Sequence, residues 1–381
     1  MIFPFLPKYV ESLGSAYELD ILFLAGAVFS AQAITMAIAS PIWGALADRF
    51  GRKLMVQRAL FGGSVLLLAM AFATSAEMLV GLRALQGLVT GTVAAANALV
   101  AGTAPRERAG YAMGLLQTGT WTGVALGPLI GGLLADAYGY NVAFYFTSAL
   151  LFTGGLLVLF LVRDVPPVLA GNRRVALRDG WRHVLASEGV RLVFAFRFLA
   201  WLGRVILVPY LPLFIAVLMV NAGAVNTLTG LVIALSSGAG TVAALVLGRL
   251  GDRVGHRRIV TVCTFAAAAL LLPQSLVTAV WQLLLLQALT GAAVGGVMPS
   301  LAALLNHYTD VGEEGAVYGL DNSVIALSRA LAPMLGAGVV FVGGFRALFV
   351  VAAALMLGTG VLAALKLPEP EGIGTQLAVG D

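Results

Sequence analysis

Eleven long apolar runs follow one another along the 381 residues, near 20–46, 54–75, 78–102, 109–135, 142–163, 190–219, 227–249, 258–277, 281–305, 315–341 and 345–366, each ended by glycine, proline or charge. A helix of about 20 apolar residues crosses the core of a bilayer. Lipid offers no partner to backbone N–H and C=O groups, so each segment must satisfy them within itself. The runs therefore predict eleven spanning helices, and the opening MIFPFLPKYVESLG predicts the outer end of a first one ahead of them. Hydrophobic residues make up 60% of the chain and charged ones 11%, against roughly 45–50% and 25% in soluble domains, which leaves no stretch for a large soluble domain.

If the opening helix leads outward, the connections near 47–53, 103–108, 164–189, 250–258 and 306–314 face the cytoplasm. Arg49, Arg52, Lys53, Arg106, Arg108, Arg173, Arg174, Arg178, Arg182, Arg253, Arg257 and Arg258 fall on that side, while the opposite connections carry little beyond Glu18, Glu77, Asp136 and Arg346. The net charge of +5 thus marks a positive-inside membrane protein and not a nucleic-acid partner; the acidic HYTDVGEEG (307–315) weighs little in that rule. The long polar connection 164–189 divides the chain into a six-helix bundle, 1–163, and a second, 190–366, followed by a disordered tail, 367–381. Linker and tail are expected in the cytoplasm, with the helices crossing the inner or plasma membrane many times. Cys263 is the one cysteine, so no intrachain disulfide forms, and His183, His256 and His307 lack metal-ligand spacing.

The two halves repeat each other. Gly44, Asp48, Arg49 and Gly51 match Gly248, Asp252, Arg253 and Gly255 at an offset of 204, and RALQG (83–87) matches QALTG (287–291) at the same offset. At 205, Gly110 and Gly114 match Gly315 and Gly319, Pro128 matches Pro333, GYNVAF at 139 matches GFRALF at 344, and FPFLP (3–7) matches VPYLP (208–212). Two parallel six-helix units follow from such a repeat. Because VPYLP ends a segment that starts near Val190, the expectation is a first helix shortened by roughly fifteen residues.

Several residue groups suggest chemistry. Gly44 and Gly51 permit a tight turn, Asp48 offers a fixed acceptor, and Arg49, Arg52 and Lys53 suit lipid phosphate or acidic partners, so the stretch can act as a latch. Gly119, Gly123, Gly127 and Gly131 recur every four residues and leave one helix face bare, beside a bend expected at Pro128; small residues such as Ser236, Gly238 and Gly240 are the expected packing partners. A charged residue at mid-span costs about 2.5–3.5 kcal/mol on insertion scales and marks a cavity or a partner. Arg83, Arg197, Arg204, Arg329 and Asp321 qualify, and Asp321 is the expected proton site or the partner of an arginine that senses its protonation; Glu11 is a further coupling candidate. No G-x-x-x-x-G-K-[ST] phosphate loop is present, so the proton gradient, and no cofactor, is the expected energy source.

Gly44 through Lys53 resembles the G-x-L-A-D-R-x-G-R-K signature of the major facilitator superfamily, echoed at Gly248 to Arg257. Arg83, Gln86 and Gly87 resemble its helix-four motif, and Gly123, Gly127, Pro128, Gly131 and Gly132 resemble the helix-five motif of twelve-helix drug:proton antiporters. The chain looks most like the MdtG-type multidrug efflux group. The resemblance implies an all-α fold of two six-helix bundles around a cavity that opens alternately to each side. It implies a latch role for Asp48 and Asp252 against the neighbouring half, a coupling role for Arg83, and a cavity lined by helices one, four, seven and ten. On those helices lie Phe5, Tyr9, Gln86, Asn97, Arg197, Trp201, Arg204, Tyr210 and Gln287. The resulting expectation is a monomeric, proton-coupled exporter of amphipathic or cationic drugs, in contact with membrane lipid, small-molecule substrate and protons; the alternative is a carrier of a specific metabolite such as a sugar, siderophore or amino acid. An enzyme would need a clustered catalytic or metal constellation in a span, and the sequence carries none.

Overall fold

The computed structural model describes residues 1–103, 108–162, 188–219, 222–309 and 314–367; the linker, the tail and the side chains of Gly44, Asp48 and Arg49 lie outside the described set. Among the described residues the first half forms α1 (Leu6–Leu13), α2 (Ile21–Phe50), α3 (Arg52–Met70), α4 (Ala76–Val89), α5 (Thr92–Thr103), α6 (Ala109–Tyr138) and α7 (Tyr140–Leu161). The second forms α8 (Glu188–Val205), α9 (Leu211–Leu218), α10 (Val225–Val254), α11 (His256–Gln274), α12 (Val280–Gly295), α13 (Val297–His307) and α14 (Glu314–Lys366). Helix α14 is two helices meeting at Gly344, whose φ of 72° breaks the helix. Every one of the eleven apolar runs is helical, and seven described segments are long and apolar enough to cross a membrane.

The repeat is written into the backbone as well as the residues. Helices α2 and α10 both have 30 residues, and α3 and α11 both have 19, each pair displaced by 204. Helices α1 and α9 are displaced by 205 and begin alike, at Phe5 (φ −107°, ψ −10°) and Tyr210 (φ −103°, ψ −11°), each followed within two residues by a proline. Pro209 has no N–H to donate and crowds the carbonyl one turn back, which interrupts the run 190–219 between α8 and α9. The runs 78–102 and 281–305 are interrupted too, at Thr90–Gly91 and at Gly296; Gly91 holds φ at 136°, a conformation costly for residues with a Cβ. The connection expected over 47–53 shrinks to one residue. Helix α2 continues to Phe50, Gly51 (φ 95°) turns the chain, and α3 starts at Arg52; Gly255 (φ 96°) does the same after α10.

Equivalent contacts hold the two halves' helices. A methyl on Gly87 would overlap the Gln32 carbonyl and Thr35, and one on Gly291 would overlap the Ser236 carbonyl, so α4 lies on α2 and α12 on α10 at backbone contact. Residues 32 and 236, like 87 and 291, are 204 apart. Gly87→Val is expected to cost at least the 1–3 kcal/mol of ordinary overpacking, because backbone cannot move aside as a side chain can. A thermal midpoint in detergent equal to wild type would contradict that crossing. Lys53 Nζ donates to the Leu159 carbonyl (3.0 Å), and Arg257 Nη2 donates to the Ala364 carbonyl (2.6 Å), so the basic residue after each turn caps the C-terminus of a neighbouring helix.

Glu77, in the first turn of α4, accepts from the Ser15 hydroxyl (2.5 Å) and from the backbone of Ala16 (3.1 Å) and Tyr17 (3.3 Å). These bonds, that of Ser15 first, hold the carboxyl down from an ordinary 4.5 to about 2. A depressed carboxylate stabilises the fold above its unfolded value and loses that contribution as pH falls through the folded one. The Ala16 and Tyr17 amides of wild type should therefore keep their hydrogen-exchange protection at pH 5 and lose it toward pH 2, while Glu77→Gln should be less protected at pH 5 and flat below it. A titration of equal shape in both proteins would sink the assignment.

The described chain resolves into two compact units, Met1–Arg173 with Pro209–Ala234, and Arg174–Val208 with Leu235–Asp381. Segment 209–234 joins the first unit because α6 grips it. A methyl on Gly132 would overlap the Asn226 carbonyl, one on Gly230 would overlap the Pro128 carbonyl, and Asp136 accepts from Asn226 Nδ2 (2.7 Å) and the Thr227 amide (2.6 Å) at the first turn of α10. The bare face of α6 thus meets Asn226 and Gly230 of α10, the helix expected to pack there, and Gly127 and Gly131 meet Met1. Ser236 and Gly240 pack on Gly291 and Gly295.

Candidate functional site

In the second unit two charged rungs lie between α8 and α14, helices also tied by the Ser328 hydroxyl donating to the Phe198 carbonyl (3.2 Å). At the first rung Arg197 Nε stands 2.7 Å from Asp321 Oδ1, with the residues 8% and 4% exposed. The sequence left open which arginine Asp321 would meet; Arg197 is the one. Seven residues on along α8 and eight along α14, both about two turns, come Arg204 and Arg329. Their guanidinium carbons lie 5.6 and 4.9 Å from the centre of the Trp201 ring.

In the first unit Arg83 is 2% exposed within α4. Its Nη1 donates to Gln86 Oε1 (2.7 Å), its Nε to the Val28 carbonyl (3.4 Å), and its charge lies 5.8 Å from the Phe29 ring, while Nη2 is buried with no partner. The repeat sharpens the meaning of this placement. Gln287 stands where Arg83 stands, and in the second unit it donates to Gln274 Oε1 (2.9 Å) while Gln274 donates to Thr290 (2.9 Å), a neutral knot at the same place. Counting back 205 from Asp321 and Arg329 reaches Leu116 and Val124. Arg83, Asp321 and Arg329 thus sit where the repeat is broken.

The major facilitator superfamily model matches residues 1–227 and again 193–377. The chain belongs to the major facilitator superfamily. It is 35% identical over 376 residues to "Multidrug resistance protein MdtG" of Klebsiella pneumoniae (strain 342), covering 99% of this chain and 91% of that one. The likeness to the MdtG of Enterobacter lignolyticus (strain SCF1) is again 35%, over 367 residues, 96% of this chain and 88% of the relative. A crystal structure of a mutant of the nucleoside transporter NupG superposes with a TM-score of 0.79 over 95% of each chain at 13% identity, a likeness of fold alone. With the apolar helices, membership makes the chain a multi-pass membrane protein.

Of the facilitator motifs, Gly44 to Phe50 form the last two turns of α2, so the signature is a helix end and not a loop. Asp252, 72% exposed at its side chain, lies 3.2 Å from His256 Nε2 one turn on. Pro128 stays inside α6, and an added methyl at Gly119 or Gly123 would meet nothing, while Gly127, Gly131 and Gly132 are backbone contacts.

The remaining candidates separate by their partners. Phe5 and Tyr9 are buried against Tyr140 and Phe144, and Tyr9 donates to the Met70 carbonyl (3.0 Å). Tyr210 is buried and donates to the Leu22 carbonyl (3.4 Å). These three and Gln287 are held by packing and by protein hydrogen bonds. Asn97 Oδ1 and Trp201 Nε1 are buried without a partner. Glu11 is half-exposed and paired with Lys8 (2.6 Å), a surface pair of small worth. Asp136 was legible only as a charge in an outer connection; its grip on α10 depends on tertiary placement, and the Asn226–Thr227 pair at a helix start was the one signal available.

Proposed function

We propose that the protein is a secondary transporter that exports amphipathic compounds by alternating access, driven by the proton gradient. The observation that carries multidrug export is the 35% identity, across nearly the whole chain, to proteins described as multidrug resistance proteins. Proton coupling is supported by the buried Arg197–Asp321 pair. A neighbouring cation favours an ionised carboxylate, and withdrawal of that cation favours the neutral acid, so a movement that separates the two side chains would load or release a proton. In this reading Arg83 is a second charged element of the coupling machinery, the halves 1–163 and 190–366 are the moving parts, and Asp48 and Asp252 latch them. The protein acts as a monomer in a cell membrane, linker and tail in the cytoplasm, with no cofactor and no chemical step on the substrate. Efflux of ethidium from cells expressing the chain tests this. It should exceed that of empty cells and collapse with a protonophore; efflux that survives the protonophore contradicts proton antiport, and absence of dye efflux contradicts multidrug export.

A further inference from the structure

The two halves differ in how they cap one pair of equivalent helices. The first turn of a helix leaves amides without partners inside the helix. Helix α2 answers its own, since Asp20 Oδ1 accepts from the Leu22 and Phe23 amides (2.8 and 3.0 Å). Counting on by 204, Asp20 becomes Ala224, which has no side-chain oxygen, and the two amides become those of Asn226 and Thr227 at the start of α10. These same two amides are taken by Asp136 of α6: Oδ1 accepts from the Asn226 amide (3.4 Å) and Nδ2 (2.7 Å), and Oδ2 from the Thr227 amide (2.6 Å). Asp136 gains nothing on its own helix, because it lies in the last turn of α6, the partly negative end, where a carboxylate is misplaced. Its counterpart 205 residues on is the exposed Phe341. Helix α10 therefore lacks the acid that α2 has, and α6 carries an acid that its own counterpart lacks.

A cap within one helix survives any movement of that helix, whereas a cap lent by a second helix lasts only while the two touch. By the repeat α10 is the counterpart of α2 and belongs to the second half, yet its residues up to Ala234 sit in the first compact unit, against α6. The touch is at backbone distance, Gly132 on the Asn226 carbonyl and Gly230 on the Pro128 carbonyl. Helix α6 starts beside Arg108 and α10 ends beside Arg253, so this seam lies at the end of both helices away from those basic residues. Resting on the export reading above, in which the two halves are the moving parts, we infer that Asp136 is the clasp of a gate: it holds α10 on α6 at that end, and it lets go when the protein opens there. It is a positioning residue, and its charge acts through the two amides of α10.

The test uses the full chain in phosphatidylcholine nanodiscs, where a water-soluble maleimide reaches both faces. Thr229, buried and one turn on from Asn226, becomes the reporter as Thr229→Cys in a Cys263→Ser background. Asp136→Asn should raise the labelling rate at least about fivefold, the scale of one lost helix cap, and Asp136→Glu, which keeps the charge, should raise it less. Ala224→Asp added to Asp136→Asn gives α10 a cap of its own, as Asp20 gives α2. It should restore the hydrogen-exchange protection of the Asn226 and Thr227 amides and leave labelling fast. Unchanged labelling in Asp136→Asn overturns the clasp, and so does labelling that turns slow again with Ala224→Asp, which would make Asp136 a cap that serves α10 alone. The chain that keeps Cys263 and lacks the reporter separates opening from unfolding: Cys263, buried in the second unit, should stay as slow in Asp136→Asn as in wild type, and its labelling there overturns the inference too. Ethidium efflux by the same proteins in liposomes distinguishes the two readings. Faster labelling in Asp136→Asn with no efflux by wild type sinks export alone, and wild-type efflux with unchanged labelling in Asp136→Asn sinks the clasp alone.

Discussion

Asp321→Asn is expected to abolish the dependence of efflux on the pH gradient. Asparagine keeps the size of the side chain and loses both its charge and its ability to carry a proton. Arg197 then stays in a span without its counter-charge, and breaking a buried pair in this way costs about 3–5 kcal/mol. Loss of coupling and loss of stability must therefore be separated. Arg197→Gln with Asp321→Asn removes both charges and should recover most of the lost stability, because a neutral pair of similar shape avoids the burial cost. It should not recover coupling. Thermal midpoint and gradient-driven efflux on the two variants decide the matter. If the double variant responds to the gradient like wild type, Asp321 is a structural partner of Arg197 and the proton rides elsewhere.

Arg83→Met is expected to separate function from stability in the opposite sense. Arg83 is enclosed in α4 with one hydrogen bond to Gln86, a long one to the Val28 carbonyl and an unpartnered Nη2. Burying a charge without a carboxylate is costly, and an unbranched apolar side chain of similar length removes that cost. The melting point of Arg83→Met should be unchanged or higher. Efflux should fall by more than about tenfold, the scale of one charge-assisted hydrogen bond, and Arg83→Lys should not restore it, since a compact ammonium does not reproduce the planar fork that spans Gln86 and the Val28 carbonyl. A variant that is less stable and transports normally would make Arg83 a structural residue.

The helices were legible because an apolar run long enough to cross a bilayer has no alternative form, and the repeat was legible because glycine and proline serve the same backbone need in both halves. Gly51 and Gly255 show the limit of that reading. Their turn was foreseen, but a loop of several residues was expected, since nothing in ADRFGRK says that helix continues to Phe50. The pairing of Asp321 was open for a different reason: spacing along one helix places residues on a face and does not say which helix lies opposite. Phe5, Tyr9 and Tyr210 were candidates because of the helices that carry them; aromatic rings at a span end serve equally well as packing, and here they are buried against Tyr140, Phe144 and a backbone carbonyl. The charged positions stand out once the repeat is used as a control, because Arg83, Asp321 and Arg329 face Gln287, Leu116 and Val124 across it.

If this chain converts a proton gradient into movement of an amphipathic compound, it should do so with no other protein present. The most direct measurement uses purified protein in liposomes loaded with dye, with a pH gradient imposed first in one direction and then in the other. Net dye flux should run opposite to the proton gradient and reverse sign when the gradient is reversed, and Asp321→Asn liposomes should show a flux indifferent to both. Flux of the same direction and size under both gradients would contradict it.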